Sequence, residues 1–352
     1  MEKQLDDNGF LRNIWYFAHP SSKLKSGEML AKTLLSEPVL IGRGEDGKVF
    51  AMRDICPHRG IPLSDGHFDG KEVECCYHGW RFAPSGQCTC IPSLTSSQAD
   101  ISKGIRVRSY PIEERGGGIW IYMSDGSAKN AEPIDTLPEL PDISHKRKPG
   151  IVETMVFPSH VDHAVIGLMD PAHGPYVHKS WFWRSERTMH EKSKRFGPKP
   201  YGFAMLRHEP SSNSPVYRVL GSKPTTEIRF QLPGIRVEDI HIGDQRICGL
   251  TSVTPIDKMR TEITHQMFWS YRILDVLKPA LRPFAHLFLK QDRDVVALQQ
   301  RGLKHDPNLM LINDADMQAK WYFRLKKLYS EWTPEEAPFA NPIKETTLSW
   351  RS

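Results

Sequence analysis

No stretch of about 18 uninterrupted apolar residues occurs in the 352-residue chain, so no transmembrane helix is expected. The opening residues Met1-Glu2-Lys3-Gln4-Leu5-Asp6-Asp7 lack the apolar core of an export signal, and the expectation is a cytoplasmic protein without a membrane partner. Cysteine is sparse. Six in a chain of this length do not make a disulfide scaffold, and in a reducing cytosol they read as ligands or packed thiols. Charge is close to balanced: a net +5 is too small an excess to argue for nucleic-acid binding. The basic runs His145-Lys146-Arg147-Lys148 and Lys192-Ser193-Lys194-Arg195 read as solvated surface, or alternatively as a docking face for an acidic redox partner. Internal repeats and low-complexity segments are also missing. What remains is an ordinary globular composition over a length that accommodates about two domains.

Residues from about 10 to 125 read as β-rich. Short apolar runs at Pro38–Gly42 and Lys48–Met52 flank the turn-forming Gly44-Glu45-Asp46-Gly47, and Gly117–Met123 is a further strand. From Asp125 to Gly150 the composition shifts to Pro, Asp, Ser and Lys, which suits a linker. The expected organisation is therefore a domain over 1–126, a linker over 127–150 and a second domain over 151–352. Within the second, residues 160–170 read as helical, and 215–272 contain strands such as Thr226–Phe230 and Thr261–Thr264. Helical patterns follow near 286–302 and 314–332. The last starts at Asn313 or Asp314 as cap and carries Met317, Trp321, Leu325 and Leu328 as a core stripe.

The strongest chemical signal is Cys56-Pro57-His58 followed, after sixteen intervening residues, by Cys75-Cys76-Tyr77-His78. Each short pair supplies one thiolate and one imidazole. A Rieske [2Fe–2S] centre needs two thiolates on one iron and two imidazoles on the other. Gly60, Gly66, Gly79 and Gly86 permit the tight turns that such loops require. Zinc is the alternative for a Cys2His2 set, but zinc fingers pair Cys with Cys and His with His, and here each pair is mixed. Cys76, Cys88, Cys90 and Cys248 fall outside the pattern and read as packed or idle thiols.

The two segments Cys56-Pro57-His58-Arg59-Gly60 and Cys75-Cys76-Tyr77-His78-Gly79-Trp80 resemble the cluster loops of Rieske ring-hydroxylating oxygenases. A Rieske ferredoxin would need only about 100 residues, so the rest of the chain asks for a second function. It contains Asp170-Pro171-Ala172-His173-Gly174-Pro175-Tyr176-Val177-His178. Two neutral imidazoles and one carboxylate can bind iron(II) on one face and leave the other open to dioxygen. Positions five apart lie about 140° apart on an ideal helix, so Gly174-Pro175 must distort the segment for both imidazoles to converge. Asp170, three residues before His173, is placed to accept a proton from its non-coordinating nitrogen. Two surface histidines would be the plain alternative. The segment is similar to the iron-binding helix of the same family, with one departure: many relatives carry Asn where this chain has Gly167.

By the same resemblance the carboxylate ligand is Asp292, in Lys290-Gln291-Asp292-Arg293-Asp294-Val295-Val296, with Asp294 as the alternative. The resemblance implies an α+β chain: a β-rich Rieske domain, then a helix-grip (START-like) catalytic domain with a curved antiparallel sheet around a long helix. It further implies a homotrimer in which Asp170 bridges His78 of one subunit to His173 of the next. Electrons would come from NAD(P)H through a separate reductase or ferredoxin. The length matches the homotrimeric branch of O- and N-demethylating monooxygenases, so monooxygenation of a small aromatic substrate is expected, with cis-dihydroxylation as the alternative and an electron carrier as an alternative of another class. Substrate-pocket candidates are Met169, Leu232, Ile235, His265 and Phe288, each of which could equally be core.

Overall fold

In a computed structural model, the described residues are 5–126, 132–133, 137–178, 189–210, 224–333 and 337–352. Parts of the expected linker, at 127–131 and 134–136, lie outside them, as do the stretches 179–188 and 211–223. The chain divides into two compact units, one holding Arg12–Thr136 and the other Asp7–Leu11 with Leu137–Ser352. No helix among the described residues is long and apolar enough to cross a membrane.

The first unit is built from short antiparallel strands: β1 (Ile14–Pro20), β2 (Met29–Leu34), β3 (Glu37–Arg43), β4 (Val49–Arg53), β5 (His67–Phe68), β6 (Val73–Glu74), β7 (Arg81–Phe82), β8 (Cys88–Cys90), β9 (Ile112–Arg115) and β10 (Gly118–Met123). They form sheets ordered β1-β10-β9, β2-β3-β4 and β5-β6-β7-β8. The loop Cys75–Trp80 joins β6 to β7 of the last sheet and the loop Cys56–Ile61 follows β4, both against a core of Leu63, Phe68, Val73, Phe82 and Cys88.

The second unit begins with α1 (Asp142–Lys146), β11 (Ile151–Phe157), α2 (Val161–Met169) and the single turn α3 (Gly174–Val177). There follow β12 (Glu191–Lys199), β13 (Gly202–His208), β14 (Thr225–Gln231), β15 (Ile235–Ile242), β16 (Gln245–Asp257), β17 (Arg260–Trp269), α4 (Arg272–Leu303), α5 (Met317–Glu331) and β18 (Thr346–Arg351). One eight-stranded antiparallel sheet runs β11-β17-β16-β15-β14-β13-β12-β18, with helices packed on it, in the α+β architecture expected. α4 packs along β11, while α2 contacts β16, β17, α4 and α5.

Three local expectations are corrected. α4 begins at Arg272, not near 286, and it runs through Pro279 and Pro283. Proline in a helix interior removes one ladder hydrogen bond without always ending the helix. α5 starts at Met317 after Asp316, not after Asn313 or Asp314. The Asp316 carboxylate instead accepts from the N–H of Ile312 at 2.8 Å. Its buried face centres on Trp321, Tyr322, Leu325 and Tyr329, leaving Met317 and Leu328 at the margin. Finally, the Lys192–Arg195 run is not wholly solvated surface. Lys192 is buried and donates to Ser352 Oγ at 2.9 Å, Lys194 donates to the Glu209 carbonyl, and Arg195 pairs with Glu345.

Candidate metal centres

The two cluster loops are conformational copies of each other. The N–H of Cys56 donates to the Ile61 carbonyl at 2.8 Å, and the N–H of Cys75 to the Trp80 carbonyl at 2.8 Å. Four residues beyond each cysteine, Gly60 and Gly79 donate back to its carbonyl at 2.9 and 3.0 Å. Both glycines take positive φ, +74° and +68°, a conformation costly for any residue with a Cβ. Each loop thus turns tightly around a buried thiol and projects its histidine outward.

The Cys56 and Cys75 thiols are buried neighbours, and burial pushes the Cys56 thiol up to about 11. On the outer side the His58 and His78 rings lie 4.4 Å apart. Trp80 stacks on His58 at 4.6 Å and Tyr77 lies over His78 at 4.0 Å, so aromatic neighbours fix both rings. Sulfurs paired inside and imidazoles paired outside are the donor set a Rieske cluster requires. Of the other cysteines, Cys76 and Cys90 are exposed, Cys88 is buried, and Cys248 is buried with its thiol on Asp239 Oδ1 at 2.8 Å.

In the second unit, the helix breaks earlier than the sequence implied. α2 ends at Met169, and Asp170 is extended (φ −62°, ψ 119°), as the following Pro171 favours. His173 and His178 then flank the single turn α3, which brings their Nε2 atoms to 3.2 Å. The expected bond from the Asp170 carboxylate to His173 is not made. The Asp170 backbone carbonyl accepts from His173 Nδ1 at 2.8 Å, and the nearer carboxylate oxygen stays 3.8 Å away. Asp170 Oδ1 accepts instead from the N–H of Ala172 at 2.7 Å, and burial raises the Asp170 pKa.

α4 delivers the third group. Asp292 Oδ1 lies 3.1 Å from His178 Nε2 and 3.7 Å from His173 Nε2. Asp294 points elsewhere, pairing with Lys290 and Arg293. Two more residues of α4 address His178: Gln291 Oε1 lies 3.0 Å from its Nδ1, and the Phe288 ring stacks on it at 3.6 Å. Gln291 was not foreseen; its only sequence signal was adjacency to Asp292.

Both imidazoles therefore donate through Nδ1, to a carbonyl and to an amide oxygen, which leaves a lone pair on each Nε2. Two lone pairs and a carboxylate meet with no donor between them, and a cation resolves that arrangement. Among the described residues, His173, His178 and Asp292 form the group of three able to hold a metal ion.

The remaining candidates divide. Met169 is buried at the end of α2, and Leu232 is buried in the β14–β15 turn with its N–H on the Tyr201 carbonyl. His265 lies on the sheet face that α4 covers: it pairs across to Glu153, which accepts from Arg282 of α4. Ile235 is out of phase with that face. It pairs with Gln231 and Ser252, lining a shallow pocket with Glu139 and Arg229, so period-two alternation turns it away from α4. A Cβ at Gly167 would meet only Val296 Cγ2, at 3.9 Å, so the missing side chain leaves space and no clash.

Residues 14–111 match the Rieske [2Fe-2S] domain, and residues 167–328 match the vanillate O-demethylase oxygenase C-terminal domain. The chain is 37% identical over 175 residues to the oxygenase component of dicamba O-demethylase from Stenotrophomonas maltophilia, covering 49% of this chain and 48% of that one. It is 34% identical over 169 residues to the iron-sulfur subunit of the toluene-4-sulfonate monooxygenase system from Comamonas testosteroni, covering 48% and 47%. The chain thus spans about half the length of these curated relatives. Its fold is similar to that of dicamba monooxygenase bound to dicamba, with a TM-score of 0.74 at 23% identity over 91% of this chain and 99% of that one. A Rieske domain followed by this C-terminal domain, on this fold, places the chain among the Rieske non-haem iron oxygenases.

Proposed function

We propose that the chain is the terminal oxygenase of a multicomponent system. It takes electrons from NAD(P)H through a separate ferredoxin or reductase and uses dioxygen to hydroxylate or O-/N-demethylate a small aromatic substrate. The observation that carries the reading is the convergence of His173, His178 and Asp292 in a chain that also bears a Rieske domain. A pure electron carrier would explain the Cys and His loops but not this second site. Monooxygenation is favoured over cis-dihydroxylation because the dicamba and toluene-4-sulfonate relatives are a demethylase and a monooxygenase.

When bound, the cluster supplies single electrons and the mononuclear iron supplies dioxygen activation. Cys56 and Cys75 would hold the inner iron of the cluster, and His58 and His78 the outer one, at the exposed edge where an electron enters or leaves. His173, His178 and Asp292 would hold the mononuclear iron on one face and leave the other open. Asp170 O and Gln291 Oε1 keep both imidazoles in the tautomer that presents Nε2. Phe288 covers His178 and keeps water from that side of the ring. In the homotrimer we infer, Asp170 holds His173 through its backbone carbonyl and would turn its carboxylate toward the cluster histidine of the adjacent subunit. Six unpaired cysteines are consistent with a cytoplasmic setting.

Metal content and visible spectrum test the reading. The purified protein is expected to be red-brown, with about three irons and two acid-labile sulfides per chain. Two irons would indicate a carrier, and a colourless zinc protein would refute both. Formaldehyde release against diol formation, with a surrogate reductase, separates demethylation from dihydroxylation.

A further inference from the structure

The face of the sheet that α4 covers carries one polar row. Arg236 on β15 lies opposite Thr251 on β16, Thr251 opposite His265 on β17, and His265 opposite Glu153 on β11. Cross-strand partners share a face, and Glu153 identifies it: Arg282 Nε donates to Glu153 Oε1 at 2.8 Å, and His286 Nδ1 is 3.5 Å from the other oxygen. Arg282 and His286 belong to α4, the helix that presents Phe288, Gln291 and Asp292. α2, which leads to His173, covers the same face, since a Cβ at Gly234 would touch both Val253 and Val165 of α2. The row of Met155, Ile263 and Val253 beside it is apolar.

Polar groups on an interior face cost free energy unless matched. Glu153 is matched by α4; the rest of the row is not. Arg236 gives Nη2 to Glu238 Oε2 at 3.2 Å, its one hydrogen bond among the described residues, so most of its N–H fork is unspent. His265 Nδ1 lies 2.8 Å from Thr251 Oγ1, and Nε2 has no partner among the described residues. Arg236, Glu238 and His265 remain partly exposed on a face otherwise closed by helices.

We propose that Arg236, with the Thr251–His265 pair beside it, binds an oxyanion group, a carboxylate or sulfonate, on the substrate of the adjacent metal site. The inference rests on the oxygenase reading above and names its substrate class. A guanidinium fork matches an oxyanion with two parallel N–H bonds. The Thr251–His265 bond ends in a donor whichever way it runs. If Thr251 O–H donates to Nδ1, then Nε2 carries the free hydrogen; if Nδ1–H donates to Oγ1, the Thr251 hydroxyl donates onward. Burial holds His265 down at about 4, so at neutral pH it adds a donor and no charge. Glu238, on the same strand and face, is the counterion of Arg236 between substrates, so the guanidinium is never left buried and unpaired.

Calorimetric titration of the purified holoprotein with p-anisate, m-anisate and p-toluenesulfonate, against the matching amides and sulfonamide, tests this. At least one acid is expected to bind about tenfold or more tighter than its neutral counterpart, and the carboxylate and sulfonate arms show which oxyanion fits. Arg236→Gln is expected to weaken that acid by about 10- to 100-fold, with circular dichroism and cluster spectrum unchanged. Arg236→Lys, which keeps the charge without the fork, gives a smaller loss. Glu238→Gln leaves acid binding equal or tighter, whereas a purely structural ion pair would lose stability with no gain in affinity. Equal binding of acids and amides, no binding of any acid, or an unaltered Arg236→Gln overturns the proposal. Such a result in protein with a full cluster and mononuclear iron fails this inference alone; protein lacking the iron fails the reading beneath it.

Discussion

The thiol–imidazole centre is contained in one stretch of chain, Cys56 to His78, where two loops with the same hydrogen-bond pattern turn on Gly60 and Gly79. The His–His–Asp group is assembled from afar: His178 and Gln291 are 113 residues apart in sequence and meet only because α3 and α4 come together in one unit. The first depends on local turn chemistry, the second on long-range packing. They lie in different compact units, so loss of one should leave the other intact.

The largest effect expected is that of Asp292→Ala. It removes the one carboxylate among the described residues within reach of both Nε2 atoms, so mononuclear iron and turnover are lost while the cluster remains reducible. Asp294→Ala is the control: among the described residues its carboxylate engages only Lys290 and Arg293, and iron content should stay within about twofold of wild type. Iron analysis on both variants decides it, and the reverse order would move the ligand by two residues.

His58→Ala is the mirror experiment. The outer iron loses one of two imidazoles, so the Rieske paramagnetic signature and colour disappear, while ferrous iron still binds in the second unit. A retained signature in His58→Ala would refute the loop assignment. Loss of both metals would show that the two units do not stand apart as their separate cores imply.

Asp170→Asn probes the proposed link between the centres. His173 is held by the Asp170 carbonyl, which the substitution leaves in place, so both metals should remain bound. Electron transfer from cluster to iron should nonetheless slow by orders of magnitude, because an amide loses the charge that strengthens a bridging hydrogen bond. Rapid-mixing reoxidation of the cluster with substrate and oxygen measures it; a wild-type rate with iron bound rules out the bridge.

The same contrast explains what could be read from sequence. The cluster loops were legible because ligands, spacing and glycines all lie within a short window. The β-rich first unit and the strands at Thr226 and Thr261 were legible from local alternation. Asp292 was reached through family resemblance, since nothing local separates it from Asp294; only packing turns one toward His178 and the other toward Lys290. The helical argument for Asp170 failed because Pro171 ends α2 before His173, exchanging a carboxylate contact for a carbonyl one. The early part of α4 was hidden by Pro279 and Pro283. Arg236 and Ile235 differ by one step along a strand, and only register shows which faces the helices.

Gln291→Leu is the finest test of the contrast. His173 is oriented by a backbone carbonyl that no substitution removes, whereas His178 depends on the Gln291 side chain. A neutral imidazole can carry its hydrogen on either nitrogen, and only the Nδ1–H form presents Nε2 to a metal. Leucine fills much of the same volume and accepts no hydrogen bond, so the ligating tautomer loses its anchor. Phe288 still stacks on the ring, which limits the change to tautomer and tilt. Iron affinity should fall by about 10- to 100-fold, the usual cost of losing an outer hydrogen bond to a metal-bound histidine. Gln291→Glu keeps an acceptor at the same place and should restore binding. Competition with a ferrous chelator measures both variants, and the cluster spectrum of each preparation serves as an internal standard. Equal iron affinity in wild type and Gln291→Leu would show that packing against Phe288 alone orients His178, and that the centre built from afar is as rigid as the one built from local turns.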